Sequence, residues 1–244
     1  MKAIDVHSHY GRNYLLGGKE VTVDFLLKQM NEHNIEKTLL SSFLAIHYDL
    51  VEGNKELKEI IDKHDNLLGM VVVNSNYVKI SLKELETYLK HENFVGVKMH
   101  PNLTRHPINS AQSKEILKAV ERYNVPILIH TWGEAHLNQI LDVANDSPNL
   151  KILIGHMGGI KDWRKGIEVA GKTKNTYLDI TRSSAPQGEI EEAVMRVGAE
   201  RVLFGTDFPF LSYAFALGRL KDASISNKEK EMILYDNAKK LFRI

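Results

Sequence analysis

Short apolar runs alternate with longer amphipathic stretches along almost the whole chain, and this alternation restricts the fold more than any other feature. The eight runs that read as strands are 3–6, 38–42, 68–73, 96–99, 127–130, 152–155, 176–180 and 202–204. Most are nearly all apolar, without polar alternation, which is the pattern of parallel strands buried on both faces. Between them, stretches 25–33, 54–64, 81–90, 110–123, 134–144, 188–197 and 228–242 carry helical spacing. Ser110 reads as a helix start, and Ser226-Asn227-Lys228-Glu229 resembles a capping box. Strand followed by helix, repeated, implies a parallel sheet with helical crossovers. Eight such units predict a (β/α)8 barrel, with an open doubly wound sheet as the alternative. At 244 residues a barrel fits with little left for insertions, and one domain over 1–244 is expected. The segment 8–22, with Gly11, Gly17 and Gly18, is the longest irregular piece near the start and is expected to lie over the catalytic face.

Composition removes several classes of function. The net charge is +1 and no long basic run occurs, so nucleic acid and anionic membranes are poor partners. No apolar stretch approaches the roughly 20 residues of a membrane span. The start, Met1-Lys2-Ala3-Ile4-Asp5-Val6-His7, lacks the apolar core of a signal peptide. Cysteine is absent, which excludes disulfides, thiolate metal sites and a cysteine nucleophile and fits a cytoplasmic location.

The sharpest signal is where the polar residues fall. Several apolar strands end in a side chain able to ligate a metal: His7 and His9, His100, His130, His156, and Asp207. In a barrel these ends converge on the C-terminal face, where active sites are built. His7 and His9, two residues apart on a strand, point to the same side about 6–7 Å apart. Read singly, His130 is a core histidine, His156 a cap on the glycine-rich turn 155–159, and Asp207 an N-cap before Pro209. Read together, they would crowd ionisable groups at one mouth with nothing to compensate them, which is costly. A shared divalent cation removes that cost.

The motifs Asp5-Val6-His7-Ser8-His9, Gly96-Val97-Lys98-Met99-His100-Pro101, Ile129-His130, Gly155-His156-Met157-Gly158-Gly159 and Phe204-Gly205-Thr206-Asp207-Phe208-Pro209 occur in order across the chain, followed by Asn237-Ala238-Lys239-Lys240-Leu241-Phe242. The chain thereby resembles the amidohydrolase superfamily, in the amidohydrolase-related branch that includes aminocarboxymuconate-semialdehyde decarboxylase and related hydrolases. The resemblance implies that His7, His9, His130 and Asp207 bind one ion. It also implies that His156 faces the water or substrate. Strand four offers Lys98, read as uncarboxylated and contacting substrate or a carboxylate, and His100.

Three nitrogens and a carboxylate suit Zn²⁺, with Mn²⁺, Fe²⁺, Co²⁺ or Ni²⁺ as alternatives. The expected activity is hydrolysis of a small ester, lactone or amide by a metal-activated water, with Asp207 and His156 as the catalytic groups. The alternatives are non-oxidative decarboxylation of a small unsaturated or aromatic acid, and a non-catalytic metal-binding barrel. Arg182, after strand seven, would grip a substrate carboxylate. Trp132 would form an aromatic wall, Arg12 and Tyr14 would reach substrate from the loop after His9, and His47 and His106 are weaker pocket candidates. The short loops predict a modest pocket for a small, possibly carboxylated molecule. A homodimer is compatible with the sequence.

Overall fold

The computed structural model describes residues 1–13, 17, 20–184 and 186–244. Tyr14 lies outside the described residues. The strands are β1 (Ala3–Arg12), β2 (Glu20–Val21), β3 (Ile35–Ser42), β4 (Leu67–Val73), β5 (Phe94–Met99), β6 (Ile127–Ile129), β7 (Ile152–Ile154), β8 (Thr176–Asp179) and β9 (Val202–Leu203). They form one nine-stranded sheet in the order β2-β1-β3-β4-β5-β6-β7-β8-β9. β2 is antiparallel to β1, and the remaining neighbours are parallel. The sheet curls until its far edge meets β1. Val6 N–H donates to the Phe204 carbonyl (3.0 Å), Asp207 N–H to that of His7 (2.7 Å), and His9 N–H to that of Phe208 (2.8 Å).

β6 and β7 show why these segments are strands. Each is a run of three aliphatic residues, fully buried, with side chains alternating between two cores. Leu128 and Leu153 face the inner core with Ile4, Leu39 and Leu203. Ile127, Ile129, Ile152 and Ile154 face outward, into the larger core shared with the helices. Lys98 pairs in register with Leu128, at the top of β5. The inner core is capped by Ala238, Leu241 and Phe242 of the C-terminal helix Asn237–Phe242.

Two expectations change. Residues 8–12 are not loop: β1 runs on to Arg12, because Tyr10 pairs with Ser42 and Gly11 (φ 95°) with Val21. Helices also form at Trp163–Lys172 and Tyr213–Asp222, where no helix is expected from spacing. Both contain an interior glycine, Gly166 and Gly218, which masks helical propensity. At Gly166 the absence of a side chain is required, since a Cβ would run into the Met157 carbonyl. No helix among the described residues is long and apolar enough to cross a membrane.

Candidate active site

His7 and His9 extend from the upper half of β1, and Asp207 from the turn that follows β9. One ligand atom from each lies within 4.8 Å of the others, a group able to hold a metal ion. His9 Nε2 lies 2.9 Å from Asp207 Oδ1, and His7 Nε2 lies 3.4 Å from the same oxygen. Asp207 reaches this point from a left-handed backbone (φ 60°), a conformation aspartate tolerates better than most residues.

Each imidazole has a second partner. His7 Nδ1 lies 2.7 Å from Asp179 Oδ2 at the end of β8, and its Nε2 lies 2.7 Å from Lys98 Nζ. His9 Nδ1 lies 3.0 Å from Ser41 Oγ, while its ring stacks on Phe43 with centroids 4.7 Å apart. Beneath them Asp5 is fully buried. It accepts from His7 N–H and Thr206 N–H (both 3.0 Å), Thr206 Oγ1 (2.6 Å) and Ser8 Oγ, locking the strand end that carries the two histidines.

His130 stands beside the trio. Its Nδ1 meets His156 Nε2 at 3.0 Å, and its ring stacks on His100 at 3.9 Å and on Trp132 at 6.0 Å. His156 and Met157 both take left-handed backbone (φ 55° and 51°), a costly arrangement of the kind that gathers at functional sites. His156 N–H donates to Asp179 Oδ2 at 3.3 Å.

Burial decides the charge states. It pushes His7, His100 and His130 well below the ordinary histidine range, and lowers His9 and His156 as well, so these rings are neutral with lone pairs to give. Burial also lowers Lys98 to about 8, against the pull of Asp207 and Asp179. In Asp207 burial, the largest single influence, works against the charge, but the hydrogen bond with His9 and the pull of His7 and His156 together outweigh it and hold the carboxyl below its usual range. Neutral imidazoles and a charged carboxylate, converging on one point, are the donors a divalent ion takes.

Next to this group lies a cavity of about 280 Å³, lined by His9, His47, His100, His130 and Asp207 on the polar side and by Phe43, Ile46, Leu103 and Phe210 on the apolar side. Trp132 does not line it; the ring is 42% exposed and stacked on His130, which does. Arg182 is elsewhere. It is buried, its guanidinium bonded to Ser184 and the Ile160 carbonyl and paired at 3.3 Å with Glu189, which also holds Arg219. The arginine expected to meet substrate thus joins the β8 loop to two helices through Nε and one Nη. Arg12 is exposed at the end of β1, and His106 lines a separate surface groove near Tyr77 and Ile80.

Sequence reasoning passed over Asp179, Ser41, Phe43 and Phe210. A signal for Asp179 was present, since it is an acid ending an apolar strand, as His130 and His156 end theirs. Phe43 and Phe210 sit in a short helix and a turn with no distinguishing pattern.

The Amidohydrolase family profile matches residues 52–244. The chain belongs to the amidohydrolase family. The match covers His100, His130, His156 and Asp207, and starts after His7 and His9. This amidohydrolase is 23% identical, over 91% of its length and 87% of the relative's, to gamma-resorcylate decarboxylase of Polaromonas sp. strain JS666. Among solved structures it is similar to a dihydroxybenzoic acid decarboxylase from Polaromonas sp. JS666 with bound manganese and the inhibitor 2-nitroresorcinol. There the TM-score is 0.83 and the identity 20%, with 99% of this chain and 97% of the other covered. It is also similar to a probable 2-pyrone-4,6-dicarboxylic acid hydrolase from Acinetobacter baumannii with citric acid bound, at TM-score 0.75 and 21% identity over 100% of both chains. This amidohydrolase is therefore an enzyme, a hydrolase or a carboxy-lyase. The relatives favour decarboxylation over the hydrolysis expected first from sequence, and the similar decarboxylase carries manganese where zinc was the expected ion.

Proposed function

We propose that this protein is a divalent-metal-dependent decarboxylase of a small hydroxylated aromatic acid, working at the mouth of a closed (β/α)8 barrel. The observation that carries the reading is that His9 and Asp207, grouped with the buried His7, line a cavity with flat aromatic walls, Phe43 and Phe210, sized for one ring. The backbone bonds joining β1 to residues 204–208 support closure of the barrel. His7, His9 and Asp207 would hold the ion. His130 is the further ligand in this reading, through Nε2, because His156 engages its Nδ1. Bound there, a divalent ion would supply positive charge that gathers the substrate's anionic oxygens and offsets charge that develops on them. Manganese is the ion favoured by the relatives.

The chain's own groups supply the rest. Phe43, Phe210 and Leu103 exclude water and hold the ring flat. Decarboxylation needs a proton on the ring carbon that bears the carboxylate. Asp207 receives a proton from the incoming acid or from solvent. Lining the cavity, it is placed to pass that proton to the carbon. The carbon–carboxylate bond then breaks, its electron pair restores the aromatic ring, and CO2 leaves. His156, neutral and held by Asp179, offers a hydrogen bond to a substrate oxygen. Lys98 stays beside His7 as a buried cation, and His100 and His130, on which Trp132 stacks, form one wall.

Manganese-loaded protein incubated with 2,6-dihydroxybenzoate should release CO2 as the acid disappears. A second reading, hydrolysis of a carboxylated lactone, rests on full-length similarity to the pyrone hydrolase. Opening of 2-pyrone-4,6-dicarboxylate without CO2 release from any hydroxybenzoate would replace the first reading by the second.

A further inference from the structure

Asp179 is a fully buried carboxylate with four contacts and, among the described residues, no lysine or arginine within ion-pair distance. Its Oδ2 lies 2.7 Å from His7 Nδ1 and 3.3 Å from the backbone nitrogen of His156. Its Oδ1 accepts from Thr181 N–H (2.9 Å) and Thr181 Oγ1 (2.5 Å). On the opposite side of the His7 ring, Lys98 Nζ lies 2.7 Å from Nε2. A carboxylate can only accept, so the ring proton sits on Nδ1, where it donates to Asp179, and Nε2 carries the lone pair. This tautomer leaves the lone pair on the ring edge that faces Lys98 and Asp207. Packing holds the carboxylate in place: a Cβ on Gly205 would collide with Asp179 Oδ1 and Thr181 Oγ1.

We propose that Asp179 is the positioning residue of the cation site, fixing the tautomer and orientation of His7 and, through the same oxygen, the backbone of His156. The inference rests on the reading that His7 binds a divalent ion. Partners of this kind commonly set metal affinity by about 10- to 100-fold.

Manganese affinity, read by electron paramagnetic resonance of the free ion, tests it on folded wild type, Asp179→Asn and Thr181→Val. Asp179→Asn should weaken binding by about 10- to 100-fold, whereas Thr181→Val, which removes a bond to Oδ1 and leaves Oδ2 untouched, should keep wild-type affinity. Equal affinity in Asp179→Asn and wild type overturns the proposal, as does an equal loss in Thr181→Val, which would mark general loosening. Should Asp179→Asn not fold, ¹⁵N–¹H long-range spectra of zinc-loaded wild type decide: His7 must carry its proton on Nδ1, and a proton on Nε2 overturns the proposal. Wild type that takes up no ion at all removes the metal reading and this one together; intact wild-type binding with an unaffected Asp179→Asn removes this one alone.

Discussion

In the proposed reaction Asp207 would do two things with one carboxylate: complete the cation group and handle the proton. Asp207→Asn keeps the shape and removes the charge. Activity should fall by at least about 100-fold, the lower range for losing a general acid–base group, with the melting temperature near wild type. Retained turnover would show that another group moves the proton. Arg182 is the opposite case. Its position after β8 reads from sequence as a substrate clamp, but burial and the Glu189 partnership were not legible there, because the partner lies on a later helix. Arg182→Met should cost about 3 kcal/mol in urea unfolding by leaving buried charge less compensated, and should leave KM near wild type. A raised KM with unchanged stability would return Arg182 to the substrate.

At the level of elements, the strand ends were legible because a buried apolar run that stops at histidine or aspartate is conspicuous against its surroundings. His7, His9, His130, His156 and Asp207 all gather at one end of the sheet. What sequence did not supply was their pairing. Nothing in local spacing says that His130 turns to His156 while His9 turns to Asp207; that follows from strand order and register. The helix Trp163–Lys172 was missed for a related reason. Its Gly166 weakens the helical pattern, yet it lets the helix press against the backbone of Met157 and so supports the left-handed turn that presents His156. Gly166→Val should therefore damage both, destabilising the protein by about 1–3 kcal/mol from overpacking and lowering turnover of the protein that remains folded. Unfolding curves and kinetics on the same preparation check both halves.

For the molecule as a whole, the buried rings make stability depend on pH. The folded form holds His7, His9, His100, His130 and His156 below their ordinary range, so in acid the unfolded chain binds more protons. Their contribution is complete above about pH 6.5, the unfolded value, and is lost as pH falls. Asp5, raised to about 7 by burial, acts in the opposite sense over part of that window, but it is one group against several. Chelator-treated protein should melt at progressively lower temperature between pH 7 and 5. A flat profile would mean that the rings titrate normally. Added manganese should raise the melting temperature at pH 7 by mass action, about 2.7 kcal/mol at a hundredfold excess over Kd.

His9 and Asp207 lie 198 positions apart and meet only where β1 lies along the segment after β9. An ion taken up there would act as a clasp across the seam between the first and last strands. A polypeptide still emerging from the ribosome has no such clasp until residue 207 has joined the fold, so metal capture at this site would come late and would fasten shut a molecule already wound nearly full circle.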